Sequence, residues 1–127
     1  MLIDTDVLIE YLKDNKRATE LIDSLGSFSI SSVTYMELIQ GLRNQEELRK
    51  WKTFLKERHI QHILIDQEIT AKAIFWMEEF FLSHHLRMAD SLIAATANVY
   101  GLDLLTGNIN DYRFLPGLNL KPFRVHN

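Results

Sequence analysis

The chain has 127 residues, with 14 Lys and Arg against 17 Asp and Glu for a formal net charge of −3, and that length predicts one domain spanning residues 1–127. Its 46% hydrophobic and 24% charged content excludes a disordered chain or a fibre, and the lack of cysteine excludes disulfides, thiolate zinc sites and cysteine catalysis. No apolar run approaches the roughly 18–20 residues of a bilayer crossing, and the opening residues lack the basic and long apolar segments of a secretion signal, so a cytoplasmic protein without membrane contact is expected.

Along the chain, a short apolar run over residues 1–3 stops at Asp4. Val7, Leu8, Tyr11 and Leu12 then recur at helical spacing, as do Ala18, Leu21, Ile22 and Leu25 before Gly26. Residues 28–30 alternate as a strand. Residues 33–42 read as a helix, and 46–58 as a charged helix that buries Trp51, Phe54 and Leu55. A strand is predicted over 60–65, a long helix over 67–82, an Ala-rich helix over 88–100 closed by Gly101, and a strand over 102–106. A last strand is predicted over 123–125, in a tail that carries Pro116 and Pro122.

Short strands alternating with helices predict an α/β fold. Its central, mostly parallel sheet of four to five short strands is flanked by helices on both faces. In such a sheet the carboxyl ends of the strands share one edge, where ligands bind. Asp4 directly follows the first strand, and Glu37 lies about one turn into the helix after residues 28–30. Asp90 begins the Ala-rich helix, and Asn108 follows residues 102–106, with Asp111 three residues on. Each has a purely structural alternative. Asp4 or Asp90 can serve a helix start, Thr34 and Glu37 can form a capping box, and Asn108 with Asp111 suits a turn.

Convergence of the three acids has an electrostatic consequence. Two like charges 4 Å apart repel by about 4 kcal/mol at an effective dielectric near 20. Such carboxylates either hold protons or need a cation. Mg²⁺ takes one or two carboxylates and keeps waters that can serve as nucleophile, which favours hydrolysis of a phosphodiester.

Charge is unevenly spread. Two segments are basic, one with Arg43, Arg49, Lys50, Lys52, Lys56 and Arg58, the other with Arg113, Lys121 and Arg124. Each is either a solvated surface or a contact for phosphates or a protein partner. The net negative charge excludes a globally basic nucleic-acid binder. His84 and His85 read as a solvated loop or as an RNA contact or general acid. The helix over 67–82 is apolar around more than half its circumference, through Ile69, Ala73, Ile74, Trp76, Met77, Phe80 and Phe81. That excess predicts a partner, either a second copy or another protein.

Four stretches in order resemble the PIN domain family, and within it the VapC-type toxins of toxin–antitoxin pairs. They are Leu2-Ile3-Asp4-Thr5-Asp6-Val7-Leu8-Ile9, then Ser32-Val33-Thr34-Tyr35-Met36-Glu37-Leu38 with Gly41, then Ala89-Asp90-Ser91-Leu92-Ile93-Ala94-Ala95-Thr96-Ala97, and finally residues 101–108 followed by Asp111-Tyr112. The third is the most specific.

The resemblance implies an endoribonuclease dependent on Mg²⁺ or Mn²⁺, with RNA as substrate and a cognate antitoxin as partner. It implies Asp4 and Asp90 as metal carboxylates. Glu37 completes the cluster, by binding the ion through water or by positioning the attacking water. Thr5 and Thr106 support the cluster by hydrogen bonding. Asn108 stands where the family often has aspartate, which implies either that Asp111 takes over that role or that a second metal site is weak. Asp6 stands where the family often has asparagine. Two alternatives accompany this reading: a catalytically weakened PIN-fold binding module, and a haloacid-dehalogenase-like phosphatase with Asp4 as nucleophile and Asp6 as acid–base.

Overall fold

The computed structural model describes residues 1–125. Strands β1 (Leu2–Ile3), β2 (Ser29–Ser31), β3 (Gln61–Ile63), β4 (Leu104–Thr106) and β5 (Leu120–Pro122) form one sheet in the order β3-β2-β1-β4-β5. Every neighbouring pair is parallel. The helices are α1 (Thr5–Leu12), α2 (Lys16–Leu25), α3 (Ser32–Gln40), α4 (Gln45–Glu57), α5 (Gln67–His84) and α6 (Met88–Val99).

Side chains alternate across a strand, so each strand feeds two cores. Leu2 and Leu104 join Trp76 of α5 and Ile93 of α6 on one face of the sheet. Ile3 and Leu105 join Val7 of α1, Ile22 of α2 and Trp51 of α4 on the other. The predicted parallel sheet with helices on both faces is therefore present, with β1 at its centre. None of the described helices is long and apolar enough to cross a membrane.

Local chemistry sets the helix ends. Asn15, Asn44 and Asp66 each accept the backbone N–H three residues on, at 2.8–3.0 Å, and start α2, α4 and α5. At the end of α6, the Gly101 N–H bonds Asn98 O and the Leu102 N–H bonds Ala97 O. This Schellman closure needs a left-handed residue, and Gly101 supplies it at φ +64°. Leu102 thus belongs to the helix end, which is why β4 begins at Leu104 rather than at 102. His59 closes α4 in the same way at φ +52° and draws Ile60 out of β3.

Two further expectations are corrected. The last strand is Leu120–Pro122, not 123–125. Pro122 is tolerated because β5 lies at the sheet edge, where a missing N–H leaves no ladder partner unpaired. The cap of α3 is Ser31, whose hydroxyl accepts the Val33 N–H, so Thr34 and Glu37 form no capping box. Strand β2 runs into α3 without a loop, which releases Glu37 for other partners.

Candidate active site

The strand ends converge as the topology requires. Asp4 follows β1, Ser31 ends β2 and Thr106 ends β4. Asp4 is only 5% exposed, and both of its carboxylate oxygens are engaged. Oδ1 accepts the Thr5 N–H at 2.8 Å, while Oδ2 accepts the Thr106 hydroxyl at 2.8 Å and the Tyr112 hydroxyl at 3.0 Å. Burial raises the Asp4 carboxyl above its ordinary range; these hydrogen bonds oppose the rise, and the Glu37 charge adds to it.

Asp90 stands in the first turn of α6 but does not cap it, because Arg87 occupies that position. Its Oδ1 lies 3.3 Å from the Tyr112 hydroxyl. Burial, then the charges of Asp4 and Asp111, push the Asp90 carboxyl up to about 6. Tyr112 thus touches both acids, and at 1% exposure it is buried. A phenol has one proton and cannot donate to two carboxylates. With Asp4 taking that proton, the Asp90 contact is favourable only when Asp90 is itself protonated or a cation lies between the acids.

Glu37 lies on the exposed side of α3. Thr5 Oγ1 is 2.6 Å from Glu37 Oε1 and 2.9 Å from Thr34 Oγ1. With one proton, Thr5 donates to the carboxylate and accepts from Thr34. Asp111 ends a 3₁₀ turn over Ile109–Asp111; its carboxylate is exposed and acts on Asp90 through space.

Asn108 and Asp6 form a pair. Asp6 Oδ2 accepts the Asn108 side-chain amide at 3.0 Å and the Gly107 N–H at 2.9 Å. Its Oδ1 is buried without a hydrogen-bond partner. Burial and the Asp4 charge push the Asp6 carboxyl up to about 7. A Cβ on Gly107 would lie 2.6 Å from Asp6 Oδ2, so this contact needs glycine there. A carboxylate and an amide therefore face each other here, with the carboxylate on the first motif rather than the last.

Asn108 was a candidate from the sequence, but its pairing with Asp6 and the role of Tyr112 were not visible there. The only available signal for Tyr112 was a hydroxyl on an aromatic next to the last acid, where phenylalanine would fill the core equally well. Elsewhere, Arg43 and Arg49 pair with Glu47 and Glu46, and Arg58 with Asp23, so the first basic segment holds its arginines largely within the molecule.

Among the described residues, no group of three or more His, Asp or Glu forms a ready-made ion cage. The donor set nonetheless suits a hard cation that keeps most of its waters, because Mg²⁺ needs only one or two carboxylates. The unpartnered Asp6 oxygen and the phenol shared by two acids are groups that positive charge would satisfy.

The sequence model of the PIN domain family matches residues 1–114. Ribonuclease VapC10 of Mycobacterium tuberculosis is 34% identical over 129 residues, covering 98% of this chain and 94% of the relative. Ribonuclease VapC19 of the same organism is 30% identical over 122 residues, covering 92% and 95%. A toxin–antitoxin complex from Klebsiella pneumoniae contains a chain that superposes with a TM-score of 0.76 at 26% identity, covering 97% of this chain and 98% of that one. DNA-bound VapBC from Salmonella typhimurium gives 0.82 at 23% identity, covering 95% and 96%, which speaks to the fold. With the family match reaching from the first strand through the last acidic turn, this chain belongs to the PIN domain family.

Proposed function

We propose that the chain is a metal-dependent endoribonuclease and the toxin member of a toxin–antitoxin pair. The observation that carries this reading is the meeting of Asp4 and Asp90 on one buried phenol, with both carboxyls raised by burial and by nearby negative charge. The ribonuclease names of the VapC relatives supply the substrate class.

Asp4 and Asp90 would hold Mg²⁺ or Mn²⁺, with Glu37 completing the cluster. When bound, the ion supplies positive charge that polarises a phosphoryl oxygen and favours deprotonation of water. Thr106 and Tyr112 hold Asp4 in place, and Thr5 holds Glu37 by Oε1. That leaves Glu37 Oε2 to orient the attacking water or to accept its proton. Asp4 is a poor candidate for a covalent nucleophile, because it is buried with both oxygens hydrogen-bonded. RNA incubated with the purified chain is expected to be cut in Mg²⁺ or Mn²⁺ and left intact in EDTA, with activity restored by excess divalent ion. Undiminished cutting in EDTA overturns the metal-dependent reading.

An antitoxin segment has a seat in an apolar groove of about 840 Å³ between α1, α3 and α4, lined by Ile9, Leu12, Leu38, Trp51 and Phe54. Lys13, Lys50 and the Arg43–Glu47 ion pair border it, so the two lysines favour an apolar segment flanked by acids as the occupant. Its chemistry and the toxin–antitoxin neighbours support this partner. Leu12→Glu is expected to abolish co-purification with the antitoxin while leaving RNA cleavage unchanged; retained co-purification removes the assignment. A second copy would instead cover the exposed Phe75, Phe81 and Leu82 of α5, and sedimentation of Phe81→Glu reads that contact separately, with an unaltered mass refuting it.

A further inference from the structure

The corner between α5 and α6 stands beside the acidic centre and presents side chains that the site itself does not use. Helix α5 stops at His84 because His85 takes a left-handed conformation, φ +54°, and its N–H bonds Phe81 O at 2.7 Å. That sharp stop puts Arg87 at the N-cap of α6, three residues before Asp90. Arg87 makes no cap hydrogen bond through its side chain, although its charge is felt at Asp90. Arg113 and Phe114 directly follow Tyr112 in sequence. Arg87 and Arg113 are exposed, and neither forms a salt bridge among the described residues.

The exposed His84 ring stacks on Phe114 at 4.2 Å with an interplanar angle of 19°, and Phe80 meets both rings from the side. One ring therefore comes from the element that leads to Asp90, and the other from the segment that carries Tyr112. An exposed ring backed by a half-buried one, beside arginines without a salt bridge, is the chemistry of single-stranded nucleic-acid binding, in which a base lies on a π-face and a cation takes the neighbouring phosphate. A double helix keeps its bases stacked on each other and has none to offer such a ring.

We propose that the His84–Phe114 stack is a platform for an unpaired RNA base next to the cleavage site, with Arg87 holding an adjacent phosphate. This rests on the nuclease reading and names the form of its substrate. The role makes the α5–α6 corner a substrate rim, and it makes single-stranded RNA the preferred ligand over duplex.

The test is fluorescence anisotropy with a labelled single-stranded oligoribonucleotide, and with a duplex of the same composition, in EDTA so that nothing is cut. His84→Ala is expected to weaken single-strand binding about five- to tenfold, within the range seen for losing one base–aromatic stack, and to leave duplex binding unchanged. Arg87→Gln is expected to weaken binding of both and to reduce the dependence on salt by about one phosphate contact. His84 and Arg87 are exposed, so both variants should melt with the wild type. Single-strand binding unchanged in His84→Ala overturns the platform, and an unchanged salt slope in Arg87→Gln overturns the phosphate contact. Either result, with wild-type cleavage in Mg²⁺ intact, leaves the nuclease reading standing. Failure of the wild-type chain to cut any RNA in Mg²⁺ or Mn²⁺ instead removes that reading, and the platform with it.

Discussion

Asp90→Asn is expected to reduce RNA cleavage at least about a hundredfold, the scale of losing one preorganised electrostatic contact, while making the metal-free protein more heat-stable above pH 7. The two effects share one cause. Burial and the Asp4 and Asp111 charges raise the Asp90 carboxyl from an ordinary 3.8 to about 6. A carboxyl raised on folding holds a proton that the unfolded chain has released, so the native state binds more protons between those values. Its stabilising contribution is complete below about pH 3.8 and is lost as pH rises through about 6. Asp6 behaves alike, with its loss extending through about 7. Asp66 and Glu47 are shifted the other way and act at lower pH, while His62, held below its ordinary 6.5 by burial, opposes the decline only below about that pH.

The metal-free wild type should therefore melt at progressively lower temperature from pH 5 to pH 8, and added Mn²⁺ should reverse the decline. At pH 8 the Asp90→Asn variant should melt roughly 3–6 °C higher, corresponding to about 1 kcal/mol in a domain of this size. Scanning fluorimetry in EDTA across that pH range checks this. A variant that cuts RNA at the wild-type rate, or a melting curve flat with pH, contradicts the argument. Asp4→Asn should also lose cleavage, but without the gain in stability. Its carboxylate accepts hydrogen bonds from Thr5, Thr106 and Tyr112, and an amide cannot accept all of them.

Tyr112→Phe is expected to weaken Mn²⁺ binding about 10–100-fold, the usual cost of removing a group that orients metal ligands, and to slow cleavage in proportion. The substitution removes one oxygen atom and keeps the buried ring, so the core beneath the site stays filled. What it deletes is the single hydroxyl that contacts both Asp4 and Asp90. Asp4 Oδ2 keeps the Thr106 hydroxyl, while Asp90 loses the one side-chain hydrogen bond described for it. Calorimetric titration with Mn²⁺ alone reads the effect without RNA. Affinity and cleavage both equal to wild type would mean that the phenol is only packing.

The candidate acids were legible because chain order and strand–helix alternation suffice to bring Asp4, Glu37 and Asp90 to one edge of a parallel sheet. The helix that carries Glu37 was legible; the residue's release from capping was not. Ser31 and Thr34 are both good N-cap residues, and only the point where β2 stops pairing selects Ser31. The C-terminal strand was misplaced for a similar reason. Residues 120–122 carry no alternating apolar pattern, and they become a strand because β4 offers an open edge.

Sequence alone determined which residues carry charge, the order in which strands and helices alternate, and that the strands would run parallel, since these follow from side-chain chemistry and short-range spacing. Tertiary structure alone decided that Tyr112 would meet Asp4 across 108 positions, and that Asn108 would face Asp6 across 102. Hydrogen bonds of that reach depend on strand register and loop path, which are set by how two cores pack against one sheet and leave no mark on neighbouring residues.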